Sequence, residues 1–237
     1  MKKIITLFIS MTLILSAHGY AEGKSLGAPL LDENLNNIQL DDKNIKMLVG
    51  ELVLLPDDNN YDKTSALEMI KTISHINPTI LSFLTENNLK VKLFNGKLTD
   101  EPGFLDLKGS APRGWNNGLT WDDVPGGCGP TLAVAKIGAS QTGMGHSSVN
   151  LELHEVGHLF ERNYQELRNN MDYNQIWKEE APKLMPGRIY FSNYQDEFFA
   201  EAFAMYYYGT NTREVVKQVA PNTYSLISDI ENNRAII

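Results

Sequence analysis

Cysteine is almost absent from this chain, because Cys128 is the only one among 237 residues. No intramolecular disulfide can form, so the fold depends on its apolar core and on any metal that it binds. Basic residues are also fewer than acidic ones, which gives a formal net charge of −8. This acidic balance argues against nucleic acid or an anionic membrane as the main binding partner.

Long hydrophobic runs are missing except at the N-terminus. There Lys2 and Lys3 precede an apolar run over residues 4–17, and the small residues at 19–21 offer a cleavage site. This order is typical of a secretory signal peptide, and the run is shorter than the roughly 20 residues that a membrane-spanning helix needs. We therefore predict a signal peptide over residues 1–21 and a secreted, extracellular protein without a stable membrane anchor. Removal of the signal peptide, which contains both lysines, would change the net charge from −8 to −10.

Short apolar runs in the first half of the remaining chain indicate strands. These runs lie at residues 47–55, 91–94 and 131–137, and apolar residues at helical spacing occupy 64–76 and the segment after Pro78. The Gly- and Pro-rich residues that precede the third run, including Val124 to Pro130, are expected to form loops.

Helices dominate the second half. Apolar spacing predicts them over residues 151–162, 194–208, 212–219 and 224–230. Early strands and late helices indicate an α+β fold with a small mixed sheet and a helical C-terminal half. We expect residues 22–237 to form a single domain, with the polar residues 22–44 as a loosely packed lead-in.

The first of these helices carries the pattern His-Glu-x-x-His at His154, Glu155 and His158. Residues four apart lie on one face of a helix, so both imidazoles can bind one tetrahedral zinc ion. Glu155 starts in the same turn and can serve as a general base toward a water in the open position of the metal. The predicted strand at 131–137 comes shortly before this helix, and its exposed edge could hold an extended peptide across the metal. The alternative is a surface helix that carries two histidines by chance.

A catalytic zinc ion needs one more protein ligand than these two histidines supply. No third histidine follows at the spacing His-x-x-Gly-x-x-His, and His146 before the helix is better placed for a loop or a cap. Glu197 and Glu201 lie one turn apart in a later predicted helix, flanked by Phe and Ala. Acidic residues in such surroundings are costly to bury unless they are paired or bind metal. The spacing alone leaves open which of the two is the ligand.

The combined pattern, His-Glu-x-x-His followed by Tyr-x6-Glu-Phe-Phe-Ala-Glu-Ala-Phe, resembles the catalytic domain of anthrax lethal factor and the smaller, secreted Pro-Pro endopeptidases. The resemblance implies a zincin-like metalloprotease domain with an edge strand above the active-site helix and one bound Zn²⁺. It implies Glu197 as the third zinc ligand and Tyr190 as the residue that stabilises the oxyanion. It also implies that Glu201 orients a ligand histidine from behind.

The resemblance extends to the substrate cleft. In the Pro-Pro endopeptidases a basic residue and a Trp two positions later wall the cleft, which corresponds to Arg113 and Trp115. Asp196, the acidic residue before the third ligand, is the candidate partner of Arg113. The Gly-rich residues 126–130 match a variable loop that contacts substrate, and Cys128 departs from the family pattern there. The implied activity is hydrolysis of Pro-Pro bonds in Pro-rich extracellular or cell-surface proteins.

Two other functions stay open: a secreted, non-catalytic binding module on a zincin scaffold, and a toxin-like metalloprotease subunit with a different substrate. Intact Glu155 and Tyr190 argue against the first, because a scaffold that has lost activity can lose such residues without unfolding. The chain length leaves little room for a receptor- or pore-binding domain, which argues against the second. Tyr190 could instead be a loop aromatic, and Glu201 could pair with a lysine. No pattern indicates an oligomeric state.

Overall fold

The computed structural model describes residues 26–30, 40, 42–113 and 118–233. The predicted signal peptide, most of the predicted lead-in and Trp115 lie outside these residues. Among the described helices, none combines the length and the apolar character that crossing a bilayer requires.

The described strands are β1 (Ala28–Pro29), β2 (Val53–Leu55), β3 (Lys90–Phe94), β4 (Gly126–Cys128) and β5 (Leu132–Lys136). The described α-helices are α1 (Lys43–Leu52), α2 (Lys63–Ile73), α3 (Pro78–Glu86), α4 (Leu151–Asn163), α5 (Gln165–Asn169), α6 (Tyr173–Leu184), α7 (Ile189–Asn193), α8 (Gln195–Tyr208), α9 (Thr210–Val219) and α10 (Pro221–Glu231). Short 3₁₀ turns lie at Leu98–Asp100, Leu105–Leu107 and Trp121–Asp123. The predicted α+β fold with a small mixed sheet and a helical C-terminal half is confirmed.

The five strands form one sheet in the order β1-β2-β3-β5-β4. The three central strands are parallel, whereas β1 and β4 run antiparallel at the two edges. Alternate residues of a strand face opposite sides of a sheet. Val91 and Leu93 therefore pack into the main helical core, while Phe94 faces a smaller cluster with Leu98 and Phe104. The sheet is thus covered on both faces.

The structure differs from the sequence-based prediction for residues 47–55, because most of this run is helical. Asp42 accepts hydrogen bonds from the backbone N–H groups of Asn44 and Ile45, which caps the first turn of α1. Leu48, Val49 and Leu52 then fall on the buried side of the helix while Met47 is exposed, and only Val53–Leu55 continue as a strand. A continuous apolar run does not distinguish a buried helix from a buried strand, so the run alone could not separate the two. Part of the predicted lead-in is also ordered structure, since β1 pairs with β2.

The predicted loop at residues 124–130 is wrong in part, because Gly126–Cys128 form the edge strand β4. Its pairing with β5 places β5 inside the sheet. The strand edge beside α4 is therefore provided by β4 rather than by β5. Two adjacent glycines have low intrinsic strand propensity, so only the pairing with β5 makes this segment a strand.

The helices α4 and α8 cross at close range, and Gly157 makes this approach possible. A Cβ atom at Gly157 would lie 2.8 Å from Cα of Ala200 and 3.2 Å from Cβ of Phe203. Both of these atoms belong to α8, and the first is backbone that cannot rotate away. The glycine inside His-Glu-x-x-His therefore allows the helix that carries Glu197 to pack directly on the helix that carries both histidines.

We predict that Gly157→Ala lowers the free energy of unfolding by about 1–3 kcal/mol, because the added methyl overpacks the helix crossing. Alanine favours an isolated helix by about 1 kcal/mol over glycine, so a loss of stability reports the clash. Gly209→Ala is the matched control, since its Cβ would meet nothing within 4 Å and its φ of −179° is extended. Chemical denaturation measures the free energy of unfolding of both variants and of the parent. A Gly157→Ala protein as stable as the parent would contradict the predicted clash.

Candidate active site and metal centre

Three side chains converge on one point between α4 and α8. The Nε2 atoms of His154 and His158 lie 3.1 Å apart. Oε2 of Glu197 lies 3.3 Å from the first and 3.4 Å from the second. Ligands at zinc bond lengths of about 2.0–2.1 Å occupy the corners of a tetrahedron with edges of about 3.3–3.4 Å. The three atoms therefore match three corners of a single tetrahedral metal site with one corner open.

Hydrogen bonding within this triad sets the protonation of its members. Burial would lower the pKa of His154, but hydrogen bonds to Glu197 and Glu201 raise it to about 10. Burial would likewise raise the pKa of Glu197, whereas its hydrogen bonds with His154 and His158 lower it. The protein without metal thus holds a proton on an imidazole beside an ionised carboxylate. A metal ion that binds here has to displace this proton, since it requires neutral imidazole.

Glu155 follows the first histidine on α4 and is almost completely buried. Burial raises the pKa of its carboxyl group, and the neighbouring His154 and His158 oppose that shift. The edge strand β4 runs directly against it, because a Cβ at Gly126 would lie 2.7 Å from Oε1 of Glu155. The absence of a side chain at Gly126 thus keeps the edge strand within contact distance of this carboxylate.

Tyr190 lies on the short helix α7 and reaches the third candidate ligand. Its hydroxyl donates a hydrogen bond to Oε1 of Glu197 at 2.8 Å. Burial and the adjacent Glu197 carboxylate raise the pKa of Tyr190 well above its ordinary value. The phenol therefore keeps its proton at neutral pH and can donate to an oxygen at the metal site.

Glu201 lies behind His154, on the side away from the triad. Its Oε2 atom is 3.2 Å from Nδ1 of His154, and its Oε1 atom accepts a hydrogen bond from the backbone N–H of Val149 at 3.0 Å. Arg188 approaches the same Oε1 atom at 3.3 Å. A carboxylate on the second ring nitrogen fixes the tautomer and the orientation of a ligand histidine, so the geometry suits the role that the resemblance implied for Glu201.

Arg113 lies at the rim of the site and meets its predicted partner. Its Nη2 atom is 3.2 Å from Oδ2 of Asp196 and 3.9 Å from Oε1 of Glu197. The guanidinium also stacks over the Tyr194 ring, 3.9 Å from the centroid. Desolvation opposes ionisation, but Asp196 together with the other negative neighbours raises the pKa of Arg113. Trp115, the other predicted cleft residue, lies outside the described residues.

Several contacts at the site could not be predicted from sequence spacing. Arg188 and Tyr194 lie in no recognised motif, and only the fold brings them to Glu201 and Arg113. Arg162 donates to the backbone carbonyl of Cys128 at 2.9 Å, which fastens the edge strand to the end of α4. Burial raises the pKa of the Cys128 thiol, so this side chain remains a neutral thiol. His146 contacts the carbonyl of Ala139 through Nε2 and is not part of the triad.

Comparison with known proteins agrees with this geometry. Residues 38–230 match the family described as "Anthrax toxin lethal factor, N- and C-terminal domain". The Pro-Pro endopeptidase of Clostridioides difficile is 40% identical over 188 residues, which cover 78% of this chain and 84% of the relative. The Pro-Pro endopeptidase of Paenibacillus alvei is 38% identical over 188 residues, which cover 78% of this chain and 86% of that protein.

A solved structure supports the same assignment at the level of the fold. The structure of the Pro-Pro endopeptidase from Paenibacillus alvei superposes with a TM-score of 0.71 at 37% sequence identity. The match covers 77% of this chain and 99% of the solved chain. This agreement confirms the predicted zincin-like fold. The chain therefore belongs to the anthrax lethal factor-like family of metalloendopeptidases, together with the Pro-Pro endopeptidases.

Proposed function

We propose that this chain is a secreted, zinc-dependent endopeptidase that hydrolyses Pro-Pro bonds in Pro-rich extracellular or cell-surface proteins. The observation that carries the proposal is the convergence of His154, His158 and Glu197 with Tyr190 and Glu155 around one open corner. The substrate class comes from relatives with 38–40% identity, which are named Pro-Pro endopeptidases.

Zinc is the metal that the donor set favours. Two imidazole nitrogens and one carboxylate oxygen at tetrahedral separations are a common catalytic zinc set, whereas magnesium and calcium prefer oxygen ligands at higher coordination numbers. When bound, the ion supplies Lewis acidity toward the scissile carbonyl and lowers the pKa of a water molecule.

Glu155 is the proposed general base. Its carboxylate interacts electrostatically with His154 and His158 and lies against Gly126 of the edge strand, so a water at the metal site and a substrate along the strand would both be within its reach. It accepts a proton from that water and then delivers it to the leaving nitrogen. Burial raises its pKa, which brings proton affinity closer to that needed at neutral pH.

Tyr190 is the proposed oxyanion donor. Its hydroxyl donates to Oε1 of Glu197, which holds it next to the third candidate ligand. In the reaction the same hydroxyl turns toward the substrate oxygen, on which negative charge develops. A donor whose hydrogen bond strengthens in the transition state lowers the barrier rather than the substrate dissociation constant.

We expect Glu155→Gln and Tyr190→Phe to lower kcat while each protein still binds one zinc ion. The general base contributes about 10²–10⁴-fold to such reactions, and an oxyanion donor about 10²–10³-fold. Tyr194→Phe is the matched control, because its ring lies 4.9 Å from that of Tyr190 and supports Arg113 without a role in proton transfer. For all three variants, metal analysis measures the bound zinc and a peptide cleavage assay measures kcat. A Glu155→Gln protein that binds zinc and cleaves at the parental rate removes Glu155 from the mechanism.

The Pro-Pro preference has a physical basis in the edge strand. An extended peptide next to β4 would pair through backbone groups, yet proline has no N–H to donate. A Pro-Pro substrate therefore forms fewer backbone hydrogen bonds with β4, and apolar contact between the protein and the proline rings has to compensate. The strand available for pairing is short, since β4 spans only Gly126–Cys128 and the Cys128 carbonyl already accepts from Arg162. Trp115 is our candidate for the apolar wall.

The substrate proposal is tested with four peptides that differ only at the central bond: Pro-Pro, Ala-Pro, Pro-Ala and Ala-Ala. We expect kcat/KM for the Pro-Pro peptide to exceed each of the others by more than about tenfold, in line with discrimination through shaped apolar pockets. The Glu155→Gln protein serves as the inactive control. Equal cleavage of all four peptides would defeat the Pro-Pro assignment and leave the metalloendopeptidase assignment intact.

Export is proposed from the N-terminal pattern of Lys2, Lys3 and the apolar run over residues 4–17. We expect the full-length chain expressed in a bacterial host to reach the medium with an N-terminus near Glu22. A variant that lacks residues 4–17 is the control and should stay inside the cells. N-terminal sequencing of the recovered protein measures the result, and a cell-retained product that begins at Met1 would contradict export.

A further inference from the structure

The side chain of Arg188 links three segments around the candidate metal centre. Its Nη1 atom lies 3.3 Å from Oε1 of Glu201 on α8. Its Nη2 atom donates to the backbone carbonyl of Ser147, in the loop that leads into α4. Its guanidinium also stacks on the Phe191 ring, 4.1 Å from the centroid. The guanidinium thus contacts α8, the loop before α4 and α7.

Glu201 depends on a positive partner because its side chain is only 1% exposed. A buried ionised carboxylate is strongly destabilising unless a charge and hydrogen bonds compensate it. The backbone N–H of Val149 supplies one hydrogen bond but no full charge. Once His154 is neutral, as metal binding requires, the guanidinium of Arg188 is the cation that directly contacts Glu201 among the described residues.

The charge balance of the whole centre leads to the same residue. Glu155, Glu197 and Glu201 bring three negative charges into a largely buried region. A divalent ion offsets two of them. Arg113 at the rim pairs with Asp196 and approaches Glu197 at 3.9 Å, and Arg162 acts electrostatically on Glu155, so Arg188 is the arginine that contacts Glu201.

Arg188 also borders the helix that carries Tyr190. It directly precedes α7, and its stacking on Phe191 and its bond to Ser147 hold the start of that helix against the loop before α4. The other side of α7 is held by Trp177, whose indole N–H donates to the carbonyl of Phe191 at 2.9 Å. The position of the Tyr190 hydroxyl therefore depends on the contacts that Arg188 makes.

We infer that Arg188 is a positioning residue for the metal centre: it holds Glu201 against His154 and α7 against the loop before α4. The inference deepens the proposed function and rests on it for the catalytic part, while the metal-binding part can be measured without any cleavage. Arg188 touches none of the reacting atoms and acts through Glu201 and Tyr190.

The test begins with Arg188→Met, which keeps the length of the side chain and removes its charge and its donors. We expect its affinity for Zn²⁺ to fall by about 10- to 100-fold, the range found when groups behind a ligand histidine are lost. Competition with a chromogenic chelator measures that affinity. On the Pro-Pro peptide, at saturating Zn²⁺, kcat should fall while KM changes little, because the residue acts on metal and oxyanion groups rather than on substrate binding.

Arg213→Met is the matched control, since Arg213 makes the same kinds of contact with Glu231 and Tyr206 rather than with Glu201 and Phe191. Its Nη2 atom lies 3.3 Å from the nearly buried Glu231, and its guanidinium stacks over the Tyr206 ring at 3.9 Å. The two arginine side chains are also similarly exposed, at 36% and 40%. Arg213→Met should lose stability yet keep the parental zinc affinity, which separates a specific role of Arg188 from general destabilisation.

Arg188→Lys separates charge from shape and covers the case in which the methionine variant does not fold. A lysine ammonium restores the charge beside Glu201 but cannot reproduce the planar fork that reaches Ser147 and stacks on Phe191. We expect its zinc affinity to lie near the parental value and its kcat to stay reduced. Thermal unfolding followed by circular dichroism shows whether each variant is folded.

The inference is overturned if folded Arg188→Met keeps zinc affinity within about twofold of the parent, because loss of a group behind a ligand histidine should weaken zinc binding by about 10- to 100-fold. It is also overturned if Arg213→Met weakens zinc binding as much as Arg188→Met does. If Arg188→Met does not fold, parental zinc affinity together with parental kcat in Arg188→Lys overturns the need for the guanidinium. A parent protein that binds zinc but leaves the Pro-Pro peptide intact defeats the proposed substrate instead. The comparison of zinc affinities still decides the role of Arg188.

Discussion

The close crossing of α4 and α8 is the constraint on which the site depends. His154 and His158 are neighbours by virtue of helix geometry, whereas Glu197 reaches them only because the backbone of Ala200 can lie against Gly157. A methyl group at that position would separate the two helices. The third ligand atom would then leave the 3.3–3.4 Å separation from the imidazoles that suits a tetrahedral ion. The close packing at Gly157 therefore sets the geometry of the candidate metal site.

The second feature of the site is its concentration of buried negative charge. Glu155, Glu197 and Glu201 all approach His154, and such an arrangement is unfavourable without cations. In the protein without metal, a protonated His154 supplies part of the compensation. A metal ion held by His154, His158 and Glu197 would take that place, with Arg188 beside Glu201. A metal bound at this site would therefore contribute to the stability of the fold as well as to the chemistry, in a chain that cannot form an intramolecular disulfide.

The two predictions that failed have different causes. Gly126–Cys128 have no strand signal of their own and become an edge strand only because β5 offers its free side. The run over residues 47–55 has the composition of a buried strand, but its N-terminal capping by Asp42 and its one-sided burial make most of it a helix. The pairing with β5 lies outside the window in which periodicity can be read, whereas the Asp42 cap is a local signal that the apolar run alone does not contain.

The sequence by itself determined the elements whose chemistry is local. The spacing of His154 and His158 places two imidazoles on one helix face, and the Phe- and Ala-flanked glutamates mark a second helix with buried acids. Only the tertiary structure decided which atoms meet: Oε2 of Glu197 at the triad, Glu201 behind His154, and Arg188 beside Glu201. The reason is physical, since contacts between residues far apart in the chain arise from helix packing and strand order, and no spacing along one element encodes them.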